Sequence, residues 1–560
     1  MNYRSLFIIG SLLLAACAPT SPNQMGNGSM MDSTSLRPGF GRQAGSPQVG
    51  GNRGGMMQGS FLPAQDTDVG QLPEMKPTSI LEVKDGDTIT LNPELVRANI
   101  DGKDFALYAY NGQFPGPTLK VKQGSTFTVN VKNNIDVPTT IHWHGIRLEN
   151  RFDGTAGVTQ EAIESGKSFT YTVKVPDEGM FWYHPHVRED LQQDMGLYAN
   201  LWVTPKDVSA YNIVNREEAL MLDDMLLEDG LPVPYGEKEA DFALMGRFGN
   251  TMLVNGKTSY DLNVKRGEVV RFYLTNAANT RTFAVRFGDA AIKLVGGDVG
   301  RKEKEEFAEN VMLAPSERAI VEVLFDKAGT YTLEHRSPEK SFTLGAVTVD
   351  DAAASPSNAI SFIQPRQNSD VIADIDDVRP FFDKPVEKTI HLSVESMPAR
   401  MMGGTTEGMQ HGGGHGGSSA TAENDDGIEW EDPMPQQNAM STKHNTKWKL
   451  IDEASAAENM DIAYDFKVGD KVKIRLVNDK EADGSDHPMQ HPIHFHGQRF
   501  LVLAVDGKRN ENLVWKDTVL VPKDSSVDIL LEVTNPGDWM FHCHIAEHLT
   551  NGMMGMFTVE

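Results

Sequence analysis

The sequence has few cysteines, an excess of negative charge and no apolar run near its N-terminus that is long enough to cross a bilayer. Only two of its 560 residues are cysteines, Cys17 and Cys543, so no disulfide framework can form. The formal net charge of −26 argues against a nucleic-acid-binding protein and favours the attraction of cations. The apolar run from Leu6 to Leu14 is too short for a membrane span. The length exceeds that of one hydrophobic core, which indicates several domains.

The first residues are typical of an export signal, which we place at residues 1–17. Arg4 precedes the apolar run, and small residues follow it. The segment Leu14-Ala-Ala-Cys17 resembles the lipobox of bacterial lipoproteins, although an ordinary cleaved signal is the alternative. The resemblance implies acylation of Cys17 and a position on the periplasmic face of a bacterial membrane, with Ala18 favouring the outer membrane. Residues 18–74 are rich in Gly, Ser, Asn, Gln and Pro, which predicts a disordered tether.

A weak internal repeat organises the rest of the chain. LKVKQGSTFTVNVKNN begins at Leu119, LNVKRGEVVRFYLTNA at Leu262 and FKVGDKVKIRLVND at Phe466. Each repeat continues with a second strand (TIHWHG, TFAVRFG, PIHFHG) and a closing strand (GMFWYHPH, GTYTLEHR, GDWMFHCH). Short strands between turn signals predict an all-β chain of sandwich domains. We place three domains at 75–206, 207–350 and 386–560, a linker at 351–385, and an insert at 397–440 in the third domain.

The stretch WMFHCHIAEHLTNGMM, residues 539–554, is dense in metal ligands. Successive side chains of a strand point to opposite faces, so His542 and His544 face one way and Cys543 the other. A thiolate with two imidazoles and a weak thioether makes a blue-copper electron-transfer site, and His548 and Met553 follow closely enough to return to Cys543. The alternative is a buried cysteine beside structural histidines.

Ten of the 16 histidines lie in four motifs. A strand places both members of a His-x-His pair on one face, so four converging pairs give eight imidazoles. Eight is the number needed for two coppers with three ligands each and one with two, and neutral imidazole is a good copper ligand. The motifs are His142/His144, His184/His186, His491/His494/His496 and His542/His544/His548.

The middle repeat lacks these pairs. It has Phe283-Ala-Val285 and Glu334-His335-Arg336 where the outer repeats have His-x-His. By this alignment His335 falls on the opposite face, and we interpret it as a structural histidine. The middle domain is therefore predicted to bind no copper and to act as a spacer between the outer two.

These motifs resemble those of the multicopper oxidases, the family of laccases, bilirubin oxidases and bacterial cuprous oxidases, from about residue 75 to the end. The resemblance implies cupredoxin-like Greek-key sandwiches, four copper ions, and electrons that pass from a type 1 copper through Cys543 to reduce O2 to water. It implies type 1 copper on His491, Cys543, His548 and Met553; type 2 copper on His142 and His494; and type 3 coppers on His144, His184, His186, His496, His542 and His544.

Oxygen reduction consumes protons, so acids near the cluster are expected. Asp153, in RFDGTAGVTQ, stands where similar enzymes carry a carboxylate that serves the cluster; a turn aspartate before Gly154 is the alternative. Many bacterial relatives have an acid directly after the last type 1 histidine, but this chain has Leu549 there and Glu547 before His548. The second proton-supplying residue therefore stays unassigned.

The insert at 397–440 bears on the electron donor. Its glycine-rich composition predicts a mobile lid, and its methionines resemble those of periplasmic cuprous oxidases; a plain disordered insertion is the alternative. Met489 stands where those enzymes have a methionine of the substrate-copper site, while His487 replaces their acid and the adjacent Asp486 is a substitute. The substrate-copper candidates are Met489, Asp486, Met397, Met401 and Met402.

The sequence thus favours a lipid-anchored, monomeric oxidase that turns Cu(I) into Cu(II) with O2 as acceptor. Phenols, aromatic amines or Mn(II) are alternative donors for the same type 1 site. A copper-binding or scaffold protein without turnover is a further alternative, which copper content and oxygen uptake would distinguish.

Overall fold

The structure is a computed structural model of the chain, and it describes residues 60–65, 67–396, 426–478 and 489–560. Strands dominate all of these ranges, as predicted, because apolar and polar residues alternate along them. In the strand Thr126–Lys132, for example, Phe127, Val129 and Val131 are buried and the intervening side chains face outward. None of the helices in these ranges is long and apolar enough to cross a membrane.

The first part of the chain forms a five-stranded sheet in the order β10-β12-β13-β8-β3, a three-stranded sheet β11-β9-β4 and a four-stranded sheet β2-β7-β6-β5. The strands are β1 (Ser60–Phe61), β2 (Lys76–Pro77), β3 (Ile80–Val83), β4 (Thr88–Thr90), β5 (Pro93–Asn99), β6 (Asp104–Tyr110), β7 (Gln113–Phe114), β8 (Thr118–Lys122), β9 (Thr126–Lys132), β10 (His142–His144), β11 (Ser168–Lys174), β12 (Gly179–His184) and β13 (Ala199–Thr204).

The second part forms a six-stranded sheet β18-β14-β20-β25-β22-β23 and a five-stranded sheet β19-β27-β26-β21-β24. Its strands are β14 (Arg216–Met225), β15 (Leu227–Glu228), β16 (Leu231–Pro232), β17 (Tyr235–Gly236), β18 (Thr251–Val254), β19 (Tyr260–Arg266), β20 (Glu268–Asn276), β21 (Phe283–Phe287), β22 (Ala291–Gly297), β23 (Gly300–Ala308), β24 (Val311–Leu313), β25 (Arg318–Phe325), β26 (Gly329–Arg336) and β27 (Ser341–Ala353).

The third part forms a seven-stranded sheet built on β29-β28-β31-β37-β33-β34, with β35 paired to β33, and a five-stranded sheet β30-β39-β38-β32-β36. Its strands are β28 (Lys388–Ser396), β29 (Thr446–Asp452), β30 (Ala463–Phe466), β31 (Lys471–Asn478), β32 (His491–Phe495), β33 (Arg499–Val505), β34 (Lys508–Arg509), β35 (Trp515–Lys516), β36 (Thr518–Val521), β37 (Ser525–Glu532), β38 (Gly537–Cys543) and β39 (Met554–Val559).

The helices are short and lie between strands. They are α1 (Glu189–Gln192), α2 (Ala359–Phe362), α3 (Ser369–Asp376), α4 (Pro435–Ala439) and α5 (Ala546–Thr550), with 3-10 turns at Val69–Gln71, Asn150–Phe152, Arg379–Phe381 and Asn459–Asp461. Helix α1 directly follows the second His-x-His pair, and α5 directly follows the His-Cys-His strand.

Each pair of sheets encloses an apolar core, and the cores touch at their edges. Trp515 and Leu530 of the third part pack into the core of the first. Leu244 and Met245 of the second part pack into the core of the third, beside Cys543. These contacts bring β10 and β12 of the first part against β32 and β38 of the third, which positions the histidine motifs.

Candidate metal centre

Strand pairing aligns the histidine motifs before any tertiary contact is made. In the first part, β10 and β12 are antiparallel with His142 opposite His184. In the third part, β32 and β38 are antiparallel with His494 opposite His542. The intervening Trp143 is buried in the first core, so alternation turns the imidazoles to the opposite face.

The eight predicted imidazoles converge where the first and third parts meet. The rings of His144 and His494 stack with centroids 3.7 Å apart, and those of His142 and His496 stack at 4.1 Å. All eight side chains are buried. Three groups of ligand atoms lie within 4.8 Å of one another: His142, His144 and His494; His144, His184 and His544; and His186, His496 and His542.

Four of these imidazoles have their tautomer fixed by a backbone carbonyl. Because a carbonyl oxygen only accepts, Nδ1 must carry the proton and Nε2 must present its lone pair. The Nδ1 donors, with their acceptors, are His142 to Asp153 at 2.8 Å, His184 to Pro185 at 2.9 Å, His494 to Asp517 at 2.8 Å and His542 to Cys543 at 2.8 Å.

Three further imidazoles are held by buried carboxylates. His496 Nδ1 lies 2.9 Å from Asp153 Oδ2, which also accepts from Thr155 Oγ1 at 2.6 Å. His186 Nδ1 lies 2.7 Å from Glu189 Oε1. The third pair, His144 and Asp517, uses the other ring nitrogen, Nε2, at 3.1 Å. A carboxylate behind a metal-binding imidazole fixes the ring and raises its basicity.

Sequence reasoning found Asp153 but missed Glu189 and Asp517. The structure places the Asp153 carboxylate against His142 and His496. Glu189 could have been found, because it follows His186 by three residues and a single helical turn suffices to return it. Asp517 carries no local signal, because it lies between β35 and β36 and reaches His144 only through tertiary packing.

The electrostatics of the buried cluster favour neutral imidazole. Burial, together with neighbouring imidazoles, holds the pKa of His184 and of His494 well below the usual range. His186 differs, because burial lowers its pKa but the carboxylates of Glu189 and Asp153 act against burial, and the net shift of the pKa is upward. Neutral imidazole is the form that binds metal.

The predicted thiolate site forms on the other face of β38. Cys543 Sγ lies 3.5 Å from His491 Nδ1 and 3.7 Å from His548 Nδ1, and all three side chains are buried. Burial lowers the pKa of His491 to about 3 and raises that of the Cys543 thiol, so the thiolate needs a cation to form at neutral pH. Met553 is buried in the same core, and its carbonyl accepts from the Cys543 N–H at 3.1 Å.

Two segments, residues 426–448 and loop 242–249, cover the thiolate site; we call them the cover. Trp448 stacks on His548 with centroids 4.1 Å apart and donates its indole N–H to the Ala243 carbonyl at 2.7 Å. Asn438 of α4 accepts from the Met245 N–H at 2.9 Å, which ties residues 426–445 to loop 242–249. The mobility of the insert stays a prediction; within residues 426–440, the side chain of Asn438 bonds to the second part of the chain.

The substrate-copper candidates are only partly described. Met489 is fully buried in the third core. Asp486, Met397, Met401 and Met402 lie outside the described residues, as do Cys17 and His487.

The middle sheets hold a histidine of a different kind. His335 is buried, and its Nδ1 accepts from the Ala284 N–H at 3.0 Å. Burial, with Arg281 nearby, lowers its pKa to about 4. Its ring stacks on Phe342, as expected of a structural histidine.

The donor set fits copper. Among the described residues, buried Nε2 atoms of His142, His184, His186 and His494 have no hydrogen-bond partner, although a protein rarely leaves such atoms unpaired. His496 Nε2 and His542 Nε2 face each other at 2.9 Å, a geometry that a shared cation explains. Imidazole and thiolate together suit copper.

Comparison with known proteins agrees with this chemistry. Two family models described as multicopper oxidase match residues 94–208 and 428–560. The multicopper oxidase mco of Staphylococcus aureus is 27% identical over 458 residues, covering 80% of this chain and 83% of that protein. The copper resistance protein A homolog of Pseudomonas syringae pv. tomato is 25% identical over 553 residues, covering 83% and 91%.

A solved structure shares the whole architecture. The multi-copper oxidase from Pseudomonas thermotolerans superposes with a TM-score of 0.62 at 25% identity, covering 86% of this chain and all of that one. This confirms the predicted all-β, cupredoxin-like fold. With its histidine motifs gathered as that chemistry requires, the chain is similar over most of its length to the multicopper oxidases, and the family models, relatives and structures together support an oxidoreductase of laccase-like type that uses oxygen.

Proposed function

We propose that the chain couples four one-electron oxidations at the Cys543 site to the reduction of O2 to two waters at the eight-imidazole site. The observation that carries this proposal is the position of Cys543 on β38. Its side chain lies in one site, while its sequence neighbours His542 and His544 lie in the other. One strand therefore joins the two sites by a short covalent path along which an electron can pass.

The groups of facing atoms support ligand sets for four copper ions. A type 1 ion would be held by His491, Cys543 and His548, with Met553 as a further candidate ligand, and a type 2 ion by His142 and His494. The type 3 pair would be held by His144, His184 and His544 on one side and His186, His496 and His542 on the other. Bound copper would supply the one-electron redox chemistry and the binding of O2.

Asp153 orients two imidazoles of the cluster. Its carboxylate lies against His142 and His496, and the hydroxyl of Thr155 holds the carboxylate in place. Its proposed part in proton supply stays a prediction of the family resemblance.

We propose Cu(I) as the electron donor. Four Cu(I) ions, one O2 and four protons would give four Cu(II) ions and two waters. The cover over His548 supports a small donor, because Trp448 and loop 242–249 keep the His491 and His548 rings at 0% exposure. The name of the Pseudomonas syringae relative, a copper resistance protein, points the same way.

Oxygen uptake tests both parts of the proposal. Copper-loaded protein is supplied in parallel with Cu(I), Mn(II) and a phenol, and Cys543→Ser protein gives the background of spontaneous oxidation. We expect Cu(I) to be consumed far faster than the phenol, and Cys543→Ser to abolish uptake above background with every donor. Faster oxidation of the phenol would favour a laccase-type function. An unchanged rate in Cys543→Ser would contradict the coupling of the two sites.

The methionine-rich insert has its own test. Deleting residues 397–425 removes the glycine-rich part of the insert and leaves the bonded segment 426–445 in place. We expect a lower rate with Cu(I) and an unchanged rate with the phenol. Equal rates with Cu(I) before and after the deletion would exclude a role of the insert in donor delivery.

We also propose that Cys17 carries the lipid anchor, which the sequence Leu14-Ala-Ala-Cys17 supports. In an exporting bacterial host, the chain should fractionate with membranes and Cys17→Ser should release it. Release of the unaltered chain would contradict the anchor.

A further inference from the structure

The second part of the chain, predicted to be a spacer, contributes a buried arginine, Arg318, next to the eight-imidazole site. Arg318 begins β25, a strand of the six-stranded middle sheet, and it is 1% exposed. Its guanidinium carries a full charge into the interior, so its partners define its role.

Those partners come from all three parts. Arg318 Nε donates to the Met180 carbonyl of β12 at 2.8 Å, and Nη1 donates to the Ser316 carbonyl at 2.9 Å. Nη1 and Nη2 both bond the carboxylate of Asp517, the former at 2.7 Å. A bidentate guanidinium fixes the plane of a carboxylate as well as its position.

Asp517 in turn touches two predicted copper ligands. Its Oδ1 accepts from His144 Nε2 at 3.1 Å, and its backbone carbonyl accepts from His494 Nδ1 at 2.8 Å. Because the carboxylate takes Nε2, His144 presents Nδ1 to the cluster, whereas His142 presents Nε2. The orientation of Asp517 thus selects which nitrogen of His144 faces the site.

Neighbouring residues leave the Asp517 carboxylate little room to change its orientation. A Cβ on Gly145, which has φ near 79°, would lie 2.2 Å from Asp517 Oδ2. The backbone N–H of Arg318 donates to Asp298 Oδ1 at 2.8 Å, and Lys516 Nζ lies 2.9 Å from Asp298 Oδ2. The segment that carries Asp517 is therefore tied to the second part through Asp298 as well as through the guanidinium of Arg318.

We infer that Arg318 is a positioning residue of the oxygen-reducing site, acting through Asp517 on His144 and His494. The inference rests on the proposed function, because it assumes that these imidazoles hold copper. The middle sandwich then does more than set a distance, since it fixes the tautomer and ring plane of a ligand in the first part.

The test compares copper-loaded Arg318→Gln and Arg318→Lys with the unaltered chain. Bound copper per chain and the near-ultraviolet absorption of the coupled copper pair report on the eight-imidazole site. The blue absorption of the Cys543 site serves as an internal reference. We expect Arg318→Gln to keep the blue absorption, to lose most of the near-ultraviolet band and to bind copper about 10–100-fold more weakly at the cluster. Arg318→Lys should recover part of the band.

Arg271→Gln is the matched control. Arg271 lies on the neighbouring strand β20, is 4% exposed and pairs with Glu322 at 2.7 Å, away from the cluster. A full near-ultraviolet band in Arg318→Gln, or an equal loss in Arg271→Gln, would overturn the inference.

Asp517→Asn, which preserves shape, replaces Arg318→Gln if that variant does not fold. Loss of its near-ultraviolet band with the blue absorption intact supports the inference, and an intact band overturns it. Absence of the band in the unaltered, copper-loaded chain would instead contradict the proposed function.

Discussion

Buried carboxylates orient three of the eight imidazoles of the cluster. Asp153, Glu189 and Asp517 each bond one ring nitrogen, at 2.9, 2.7 and 3.1 Å. Each such contact leaves the opposite nitrogen as the lone-pair donor. Two of the three contacts fall on the group formed by His186, His496 and His542, so the two halves of the proposed copper pair differ in the basicity of their ligands.

The substitution Glu189→Gln tests whether a buried carboxylate raises the basicity of its imidazole. The amide keeps the shape of the side chain but loses the charge that raises the basicity of His186. We expect copper at the cluster to be bound about 10–100-fold more weakly, as measured by competition with a chelator.

Glu161→Gln, an exposed substitution in the same part of the chain, is the control and should match the unaltered protein. Equal chelator resistance of Glu189→Gln and the control would show that this carboxylate does not support the site.

At the scale of elements, the cover over the thiolate site is held by one polar side chain of α4. Asn438 is fully buried; it accepts from the Met245 N–H and donates to the Gly246 carbonyl at 2.8 Å and to Asp432 Oδ2 at 2.7 Å. Ser441 adds a bond, since its Oγ accepts from the Leu244 N–H at 2.8 Å. The two segments of the cover are thus joined by hydrogen bonds as well as by apolar packing, and Asn438 supplies two of those hydrogen bonds.

Asn438→Ala should loosen this cover. The variant leaves the Met245 N–H and the Gly246 carbonyl without their partner, at a cost of about 1–3 kcal/mol for each unsatisfied buried group. We expect the rate with a bulky phenol to rise relative to that with Cu(I), as measured by oxygen uptake.

Asn445→Ala is the matched control for the cover. Asn445 lies in the same segment, but its side chain bonds Met440 and Thr442 rather than loop 242–249. The ratio of phenol to Cu(I) rates should stay unchanged in this variant. An equal rise in both variants would mean that Asn438 has no special part in closing the site.

At the scale of the whole molecule, buried acids collect where the three parts meet. Asp194 comes from the first, Asp223 from the second and Glu547 from the third, and all three are buried. Tyr235 of the second part donates its hydroxyl to Asp194 at 2.5 Å. Burial raises the pKa of Asp194 to about 7, against the opposing effects of Arg247 and Tyr235.

This shift makes folding stability depend on pH. The folded chain keeps Asp194 protonated over a range where the unfolded chain, with a pKa near the ordinary 3.8, has released the proton. The contribution is therefore present below about pH 4 and is lost as the pH rises through about 7. We expect Asp194→Asn to flatten the fall in unfolding free energy between these limits by up to about 1.4 kcal/mol per pH unit.

Denaturant unfolding of copper-free protein measures this slope, because copper release would add a pH dependence of its own. Asp101→Asn, at an exposed site, is the control. Parallel curves for Asp194→Asn and the unaltered chain would show that this carboxyl does not stay protonated.

Copper should also stabilise the whole molecule, because its ligands come from both ends of the folded chain. Removing copper with a chelator is expected to lower the Tm, since a ligand present at 100 times its Kd stabilises the folded state by about 2.7 kcal/mol. Differential scanning calorimetry before and after chelation measures the shift. Equal Tm values would mean that copper binds the folded and unfolded chains alike.

The sequence alone determined the strands of the sandwiches and the faces on which the histidine motifs lie. Alternation along a strand is a local property, so the pairs His142/His144 and His542/His544 had to face one way and Cys543 the other. The lack of a His-x-His pair in the middle repeat could be inferred for the same reason, because Phe283 and Val285 occupy the paired positions. Glu189 was within reach of this reasoning, since it follows His186 by three residues and one bend of the chain brings the two side chains together.

Tertiary structure decided everything that depends on chain segments far apart in sequence. Asp517 meets His144 across 373 residues, and Arg318 meets Asp517 across 199. Asn438 closes the cover across 193 residues by bonding Met245. Such contacts follow from how the sheets pack, and no local pattern of charge or hydropathy encodes which buried arginine faces which carboxylate.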